Sequence, residues 1–200
     1  MQTIETHPNW FYDFTPMKTL VLGSFPPHQS KHSFPFYYPN KQNRFWKVMS
    51  VISGIELVVS LSDAHKAIEE RKTIMRKLNL GIHDIALKIK RKNNSSLDSN
   101  IEIVEFQDII SIINNHPELE QILLLGFSAK NSAAQNFIKY TENQKLFTKY
   151  PVDFKMGSEN VFFIYNQNRQ IKCVILNSTS SASRITLNEL VSQFSKYIKN

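Results

Sequence analysis

Two segments share one grammar, and it constrains the fold more than any other feature of the chain. Lys18-Thr-Leu-Val-Leu-Gly23 and Gln121-Ile-Leu-Leu-Leu-Gly126 are short apolar runs that end on glycine. Runs without polar alternation suit strands buried on both faces, the condition of a parallel sheet. After the second run, from Ser128 to Tyr140, apolar residues recur at helical spacing at Ala129, Ala133, Ala134, Phe137 and Ile138. Strand, glycine turn and helix in that order are the unit from which parallel sheets are built.

The same reading predicts helices over 43–53, 63–78, 104–115 and 186–197. Pro117 stops the third, and Thr186 with Glu189 opens the last as a capping box. Val161–Tyr165 and Ile171–Leu176 read as strands joined by the turn-rich Asn166-Gln-Asn-Arg169, the first being either a fourth sheet strand or an edge addition. No repeat or Pro/Ser-rich linker divides the chain, so one domain is expected over 1–200: an α/β sheet covered by helices on both faces. With 42% hydrophobic and 20% charged residues, disorder is excluded.

Cys173, the one cysteine, lies in an apolar run and reads as buried, which leaves no internal disulfide or iron-sulfur cluster and suits a reducing compartment. No apolar stretch approaches the roughly 18 residues of a membrane span. The start lacks the basic-then-apolar order of a signal peptide, so a cytoplasmic protein with no membrane partner is expected. Neither G-x-x-x-x-G-K-[ST] nor G-x-G-x-x-G occurs, which argues against nucleotide triphosphate hydrolysis. The six histidines show no metal-ligand spacing and read as surface or capping residues, so no metal or other cofactor is expected.

Lys+Arg exceed Asp+Glu by 24 to 17, a net +7 that favours polyanionic partners. Eight of the bases (Arg71, Lys72, Arg76, Lys77, Lys88, Lys90, Arg91, Lys92) fall between 71 and 92 with one acid, Asp84. That stretch either lines a phosphate backbone or forms a solvated helix face and a loop. Beyond it, Arg91–Asn100 is polar enough to be a long functional loop.

Ligands of such sheets bind at the carboxyl ends of the strands, here the loops after Gly23, Gly126 and Leu176. The first continues as Gly23-Ser-Phe-Pro-Pro27 and the last as Asn177-Ser-Thr-Ser-Ser-Ala-Ser-Arg184. Close behind the first comes Phe34-Pro-Phe-Tyr-Tyr-Pro-Asn-Lys-Gln-Asn-Arg-Phe-Trp46, which interleaves aromatic rings with prolines, amides and bases. Such a tract can stack a planar ring and grip phosphates together.

These residues, taken in order, resemble the uracil-DNA glycosylase superfamily, most closely its hypoxanthine-DNA glycosylase branch. The resemblance rests on Leu20-Val-Leu-Gly-Ser-Phe-Pro26, Ser30, Tyr37-Tyr38-Pro39, Asn43-Arg-Phe-Trp46, Gly81-Ile-His-Asp84, Ser96-Leu-Asp-Ser99 and Leu176-Asn-Ser-Thr-Ser180. It implies a three-layer α/β/α sandwich around a mainly parallel four-stranded sheet. It also implies a monofunctional DNA glycosylase, acting as a monomer without cofactor, that flips a deaminated base from DNA and hydrolyses its N-glycosidic bond in base excision repair. The implied lesions are hypoxanthine, then uracil or xanthine.

Carried over residue by residue, the resemblance gives Asn43 and Ser24 catalytic roles. It gives Phe25, Tyr38, Phe45 and Asp84 substrate contacts, and Ser178, Thr179, Ser180, Arg184, Lys90 and Arg91 DNA contacts. Phe45 either stacks on the flipped base or packs in the core, and Asp84 either orients a loop or substrate or caps a helix. Asn43 either orients water through its carbonyl or donates its amide to a base oxygen. Phe25 stands where the superfamily often has Asp or Asn, Pro27 follows Pro26 in place of glycine, and His83 takes an aromatic position. These departures leave a second function open, a nucleic-acid-binding protein with an inactive pocket. An enzyme for free nucleosides is a third, though it would not need the basic stretch.

Overall fold

The computed structural model describes residues 4–93, 95, 97–126, 130–146 and 160–199. In chain order the elements are β1 (Ile4–Thr6), β2 (Thr19–Gly23), α1 (Phe45–Ser53), α2 (Ala64–Lys77), β3 (Leu80–Asp84), β4 (Ala86–Arg91), β5 (Ile101–Phe106), α3 (Ile109–Asn115), β6 (Gln121–Leu125), α4 (Ala133–Asn143), β7 (Asn160–Asn166), β8 (Arg169–Leu176) and α5 (Leu187–Ser195). They build a three-layer α/β/α sandwich. Its central sheet runs β3-β2-β6-β8-β7, in which the first four strands are parallel and β7 is antiparallel to β8. The sheet thus has five strands, not four: Val161–Tyr165 belongs to the antiparallel edge strand, and β3 completes the parallel set.

Alternation along each strand assigns the two faces. Val21, Leu80, Ile82, Leu123, Leu125, Val174 and Leu176 pack under α1, α2 and α5. Leu20, Leu22, Ile122, Leu124, Ile171, Cys173 and Ile175 pack under α3 and α4. Because strand side chains alternate with period two, a one-residue slip would exchange the two faces, so the Leu22–Leu124 register is held by both layers at once. Leu22 and Leu124 are fully buried, and truncating either to alanine costs about 2–5 kcal/mol. Burial also pushes the Cys173 thiol well up, which makes it a packing residue.

Helix starts follow the capping rule. Asp63, Asp108 and Ser132 accept from the backbone N–H three residues on, and Thr186 with Glu189 forms the full capping box. The expected helix over 104–115 divides: Ile101-Glu-Ile-Val-Glu-Phe106 pairs with β4, and the helix begins only after the Asp108 cap. Of the expected helix from Ser128, residues 128 and 129 lie outside the described set, and the helix itself is Ala133–Asn143.

A second sheet positions the site. Leaving the parallel sheet at Ile85, the chain runs directly into β4, the middle strand of an antiparallel sheet β1-β4-β5. Ile85 N–H donates to the Gly23 carbonyl and Ala86 N–H to that of Ser24, so the small sheet hangs from the carboxyl end of β2. The β4–β5 connection is thereby brought beside the loops that follow the parallel strands.

Candidate active site at the carboxyl ends of the strands

The loops after β2, β6 and β8 meet the β4–β5 connection around a cavity of about 660 Å³. That volume is the size of a site for one small molecule or one extruded group, not for a macromolecule. Two glycines permit the convergence. At Gly23 a Cβ would lie 2.2 Å from Asp84 Oδ1, so only glycine lets that carboxylate approach the first loop. Gly126, at φ +84°, takes the left-handed conformation that turns the chain out of β6, and its N–H donates to the Leu176 carbonyl.

One wall is acidic. Asp84 ends β3, lines the cavity and accepts from His7 Nε2 at 2.9 Å. It orients this wall and caps no helix. Beside it, the Tyr37 hydroxyl donates to His83 Nδ1 at 2.8 Å, and burial lowers the His83 pKa to about 4, so that ring is neutral. His7 and His83 are therefore buried structural partners of the wall, against the expectation of surface histidines. Asp98, in the β4–β5 connection, also lines the cavity and accepts from Ser24 Oγ at 2.5 Å. Burial raises its pKa to about 6, partly countered by the Ser24 bond, with Asp84 pushing up and Arg91 pulling down.

The aromatic tract forms the floor. Tyr38 lies in the cavity wall, stacked on Phe45 at 3.9 Å between centroids and 18° between planes. Phe45 is 0% exposed: its ring packs in the core and meets the site through the Tyr38 stack, while its N–H meets Asn43. The Tyr38 backbone is left-handed, φ +50°, and its buried hydroxyl has no partner among the described residues. Strain of this kind, on the order of 1–3 kcal/mol, persists only where the surroundings hold it. Burial and Asp84 both raise the phenol pKa, so it stays protonated and available as a donor.

Asn43 also lines the cavity, and its Oδ1 accepts from the Phe45 N–H at 2.9 Å. Its carbonyl is thereby committed to the start of α1, and the amide Nδ2 is the end it can offer a ligand. Phe25 reaches the cavity from the first loop, held edge-on to His7 and under the Arg91 guanidinium. Pro27 has its carbonyl bonded by His32 Nε2.

The opposite wall is the loop 177–185. Ser178 and Ser180 line it, each hydroxyl accepting from a backbone N–H two residues on, and Arg184 is exposed at the rim. Thr179 is buried and its carbonyl is taken by Arg44. Arg44 is the clamp of this wall: its guanidinium donates to the carbonyls of Thr179, Ser180, Ser183 and Ile185, and its own N–H donates to Thr179 again.

The basic stretch does not form a rail at this mouth. Arg91 is buried, donating to Glu5, Ser95 and Pro26, so in this structure its guanidinium braces the Phe25–Pro26 loop from behind. Lys90 is half-buried in the second sheet, outside the cavity lining. Arg71, Lys72 and Lys88 are paired with Glu70, Glu69 and Glu105. Arg76 and Lys77 lie where α2 delivers the chain to the amino end of β3, the sheet edge away from the cavity. Among the described residues no cluster of three metal-ligating side chains occurs, and no helix is long and apolar enough to cross a membrane.

No family model and no curated protein matches the chain. A solved structure does: the solution NMR structure of a protein from Methanosarcina acetivorans described as a candidate uracil DNA glycosylase. The two align with a TM-score of 0.62 and 20% identity over 98% of this chain and 96% of that one. The fold is shared with that protein. Asp98, Arg44 and His7 are the site residues that sequence reasoning passed over, although Asp98 and Arg44 both lie inside motifs already singled out.

Proposed function

We propose that the protein is a monofunctional DNA glycosylase that extrudes a deaminated base into this cavity and hydrolyses its N-glycosidic bond, the opening step of base excision repair. The observation that carries the reading is the orientation of Asn43. Deamination replaces an amino donor by a carbonyl acceptor, turning adenine into hypoxanthine and cytosine into uracil. A cavity wall that offers Asn43 Nδ2, with Oδ1 held by the Phe45 N–H, accepts the new carbonyl and faces the parent amino group donor to donor. Leaving such a pair unsatisfied costs about 1–3 kcal/mol. The Tyr38 hydroxyl, without a partner among the described residues, adds a donor in the same cavity. The fold shared with a protein described as a candidate uracil DNA glycosylase supports the reaction class. Hypoxanthine stands ahead of uracil and xanthine because Gly23-Ser-Phe-Pro26 resembles the hypoxanthine branch.

Bond cleavage leaves positive charge on the sugar and negative charge on the departing base. Asn43 donates to the base oxygen that gathers the negative charge. The carboxylates of the acidic wall face the cationic sugar, and Ser178, Ser180 and Arg184 sit where the flanking phosphates of a flipped nucleotide must pass.

Duplexes carrying hypoxanthine, uracil or xanthine, incubated with the protein and then treated with alkali, test the reading. Strand cleavage at the lesion, and none at adenine or cytosine in the same place, is the expected result. Salt-sensitive binding without cleavage would overturn it and leave a nucleic-acid-binding protein with an inactive pocket.

A further inference from the structure

Hydrolysis needs a group that takes a proton from the attacking water, and the glycosylase reading, on which this inference rests, leaves that group unassigned. Asn43 cannot serve, because an amide has no accessible protonation near neutral pH. Among the described residues, the ionisable side chains lining the cavity are Tyr37, Tyr38, Asp84, Asp98 and Arg184. Both tyrosines are pushed up by burial and stay protonated, and Arg184 is a permanent cation. Asp84 has Oδ2 bonded by His7, and its Oδ1 is packed against Gly23, where even a Cβ would lie 2.2 Å away. Asp98 is different: Ser24 fixes Oδ1, and Oδ2 has no hydrogen-bond partner among the described residues.

We propose that Asp98 is the catalytic base, holding the water through Oδ2 while Ser24 fixes the carboxylate plane. As the bond between C1′ and the base nitrogen breaks, its electron pair passes into the base ring and out to the oxygen bonded by Asn43. The water oxygen bonds to C1′ and its proton passes to Asp98 Oδ2. The products are the abasic sugar, carrying the new hydroxyl, and the base anion, which takes a proton from Asp98 or solvent as it leaves. Asp84 and Arg91, the charged groups facing Asp98, act in opposite senses and leave it titrating at about 6, where a base is ionised at neutral pH yet still proton-seeking.

Single-turnover base release from a hypoxanthine duplex, measured from pH 5 to 8.5, tests this. Wild-type release should rise about tenfold per unit below an inflection near 6 and then level off. Asp98→Asn should lower the plateau about 10²–10⁴-fold and abolish the inflection, with affinity for a non-cleavable 2′-fluoro substrate retained. Ser24→Ala, which removes the donor that holds the carboxyl down, should move the inflection up by about half a unit, and it carries the test should Asp98→Asn fail to fold. Release by Asp98→Asn at the wild-type rate, or an inflection unmoved by Ser24→Ala, overturns the assignment while the glycosylase reading stands. If the wild type releases no lesion base at all, that reading falls and the role of Asp98 falls with it.

Discussion

The two walls of the cavity are held by opposite means. The acidic wall is fixed through buried side chains: His7 on Asp84, Tyr37 on His83, Ser24 on Asp98, and Arg91 bracing the first loop from behind. The 177–185 wall is fixed through its backbone, whose carbonyls converge on the one guanidinium of Arg44. On the proposed reading, the difference follows from what each wall must do. Charge that acts on a reacting atom needs a dry, preorganised setting, whereas a loop that meets phosphates must keep its side chains in water and can be ordered only from behind.

If that division holds, damage to the buried wall and its floor slows the reaction, and damage to the loop weakens binding. The largest separation is expected at Asn43. Asn43→Ala removes a donor to the leaving base, and its measured consequence should be a fall of about 100-fold in single-turnover release, equivalent to about 2.7 kcal/mol, with a smaller loss of lesion-duplex affinity. An equal loss in both would place Asn43 in ground-state binding.

Next in size is Arg44. Arg44→Ala strips four carbonyls of their shared donor, and a fall of about 2 kcal/mol in unfolding free energy together with a roughly tenfold weaker Kd is expected. The plateau rate at saturating enzyme should hold. Arg44→Lys should rescue only part of the loss, because one ammonium cannot span four acceptors as a planar fork does. Denaturant titration and fluorescence anisotropy measure the two effects.

Much of this architecture is legible in one dimension. Strands β2 and β6 announce themselves because Leu20-Val-Leu22 and Ile122-Leu-Leu-Leu125 are unbroken apolar runs and a glycine follows each. Strand β3 is hidden because Gly81, His83 and Asp84 sit inside it for the sake of the site, and those residues are poor strand formers. Asn43, Tyr38 and Ser178 can be placed because each follows a readable strand or opens a readable helix. Asp98 cannot, since its meaning depends on Ser24, 74 residues earlier, and on a hairpin that folds back to reach it. Arg91 misleads for the same reason, because counting charge along the chain cannot see Glu5, 86 residues away.

The acidic wall also carries a signature in stability. Asp98 has a folded pKa of about 6 against an ordinary value of 3.8, so ionising it costs folding free energy. For a raised carboxyl the favourable contribution is complete below the unfolded pKa and is lost as pH rises through the folded one. Asp98→Asn removes that cost and should therefore stabilise the protein by about 1–3 kcal/mol at pH 8, a gain that fades between about pH 6 and 4 and is absent below. His83 runs the other way: its pKa is lowered to about 4, so its contribution is complete above 6.5 and lost as pH falls through about 4. Thermal unfolding of both chains across this range separates the two groups, because only the Asp98 component disappears in the variant. A variant less stable than wild type at pH 8 would mean that the Ser24–Asp98 bond, and not desolvation, dominates at this position.

The smallest effect should come from the rim. Arg184 is exposed and lines the cavity edge, so its bond to a phosphate would be made and broken in water. Arg184→Gln should weaken duplex binding only about threefold at moderate salt, equally for lesion and undamaged DNA, and lower the slope of log affinity against log salt by about one. The release plateau should not change. A different pattern, with lesion binding weakened and undamaged binding spared, would mean that Arg184 enters the gap left by the flipped nucleotide. It would then belong with the chemistry of extrusion, and the exposed wall would share in a task that the proposed reading otherwise gives to the buried one.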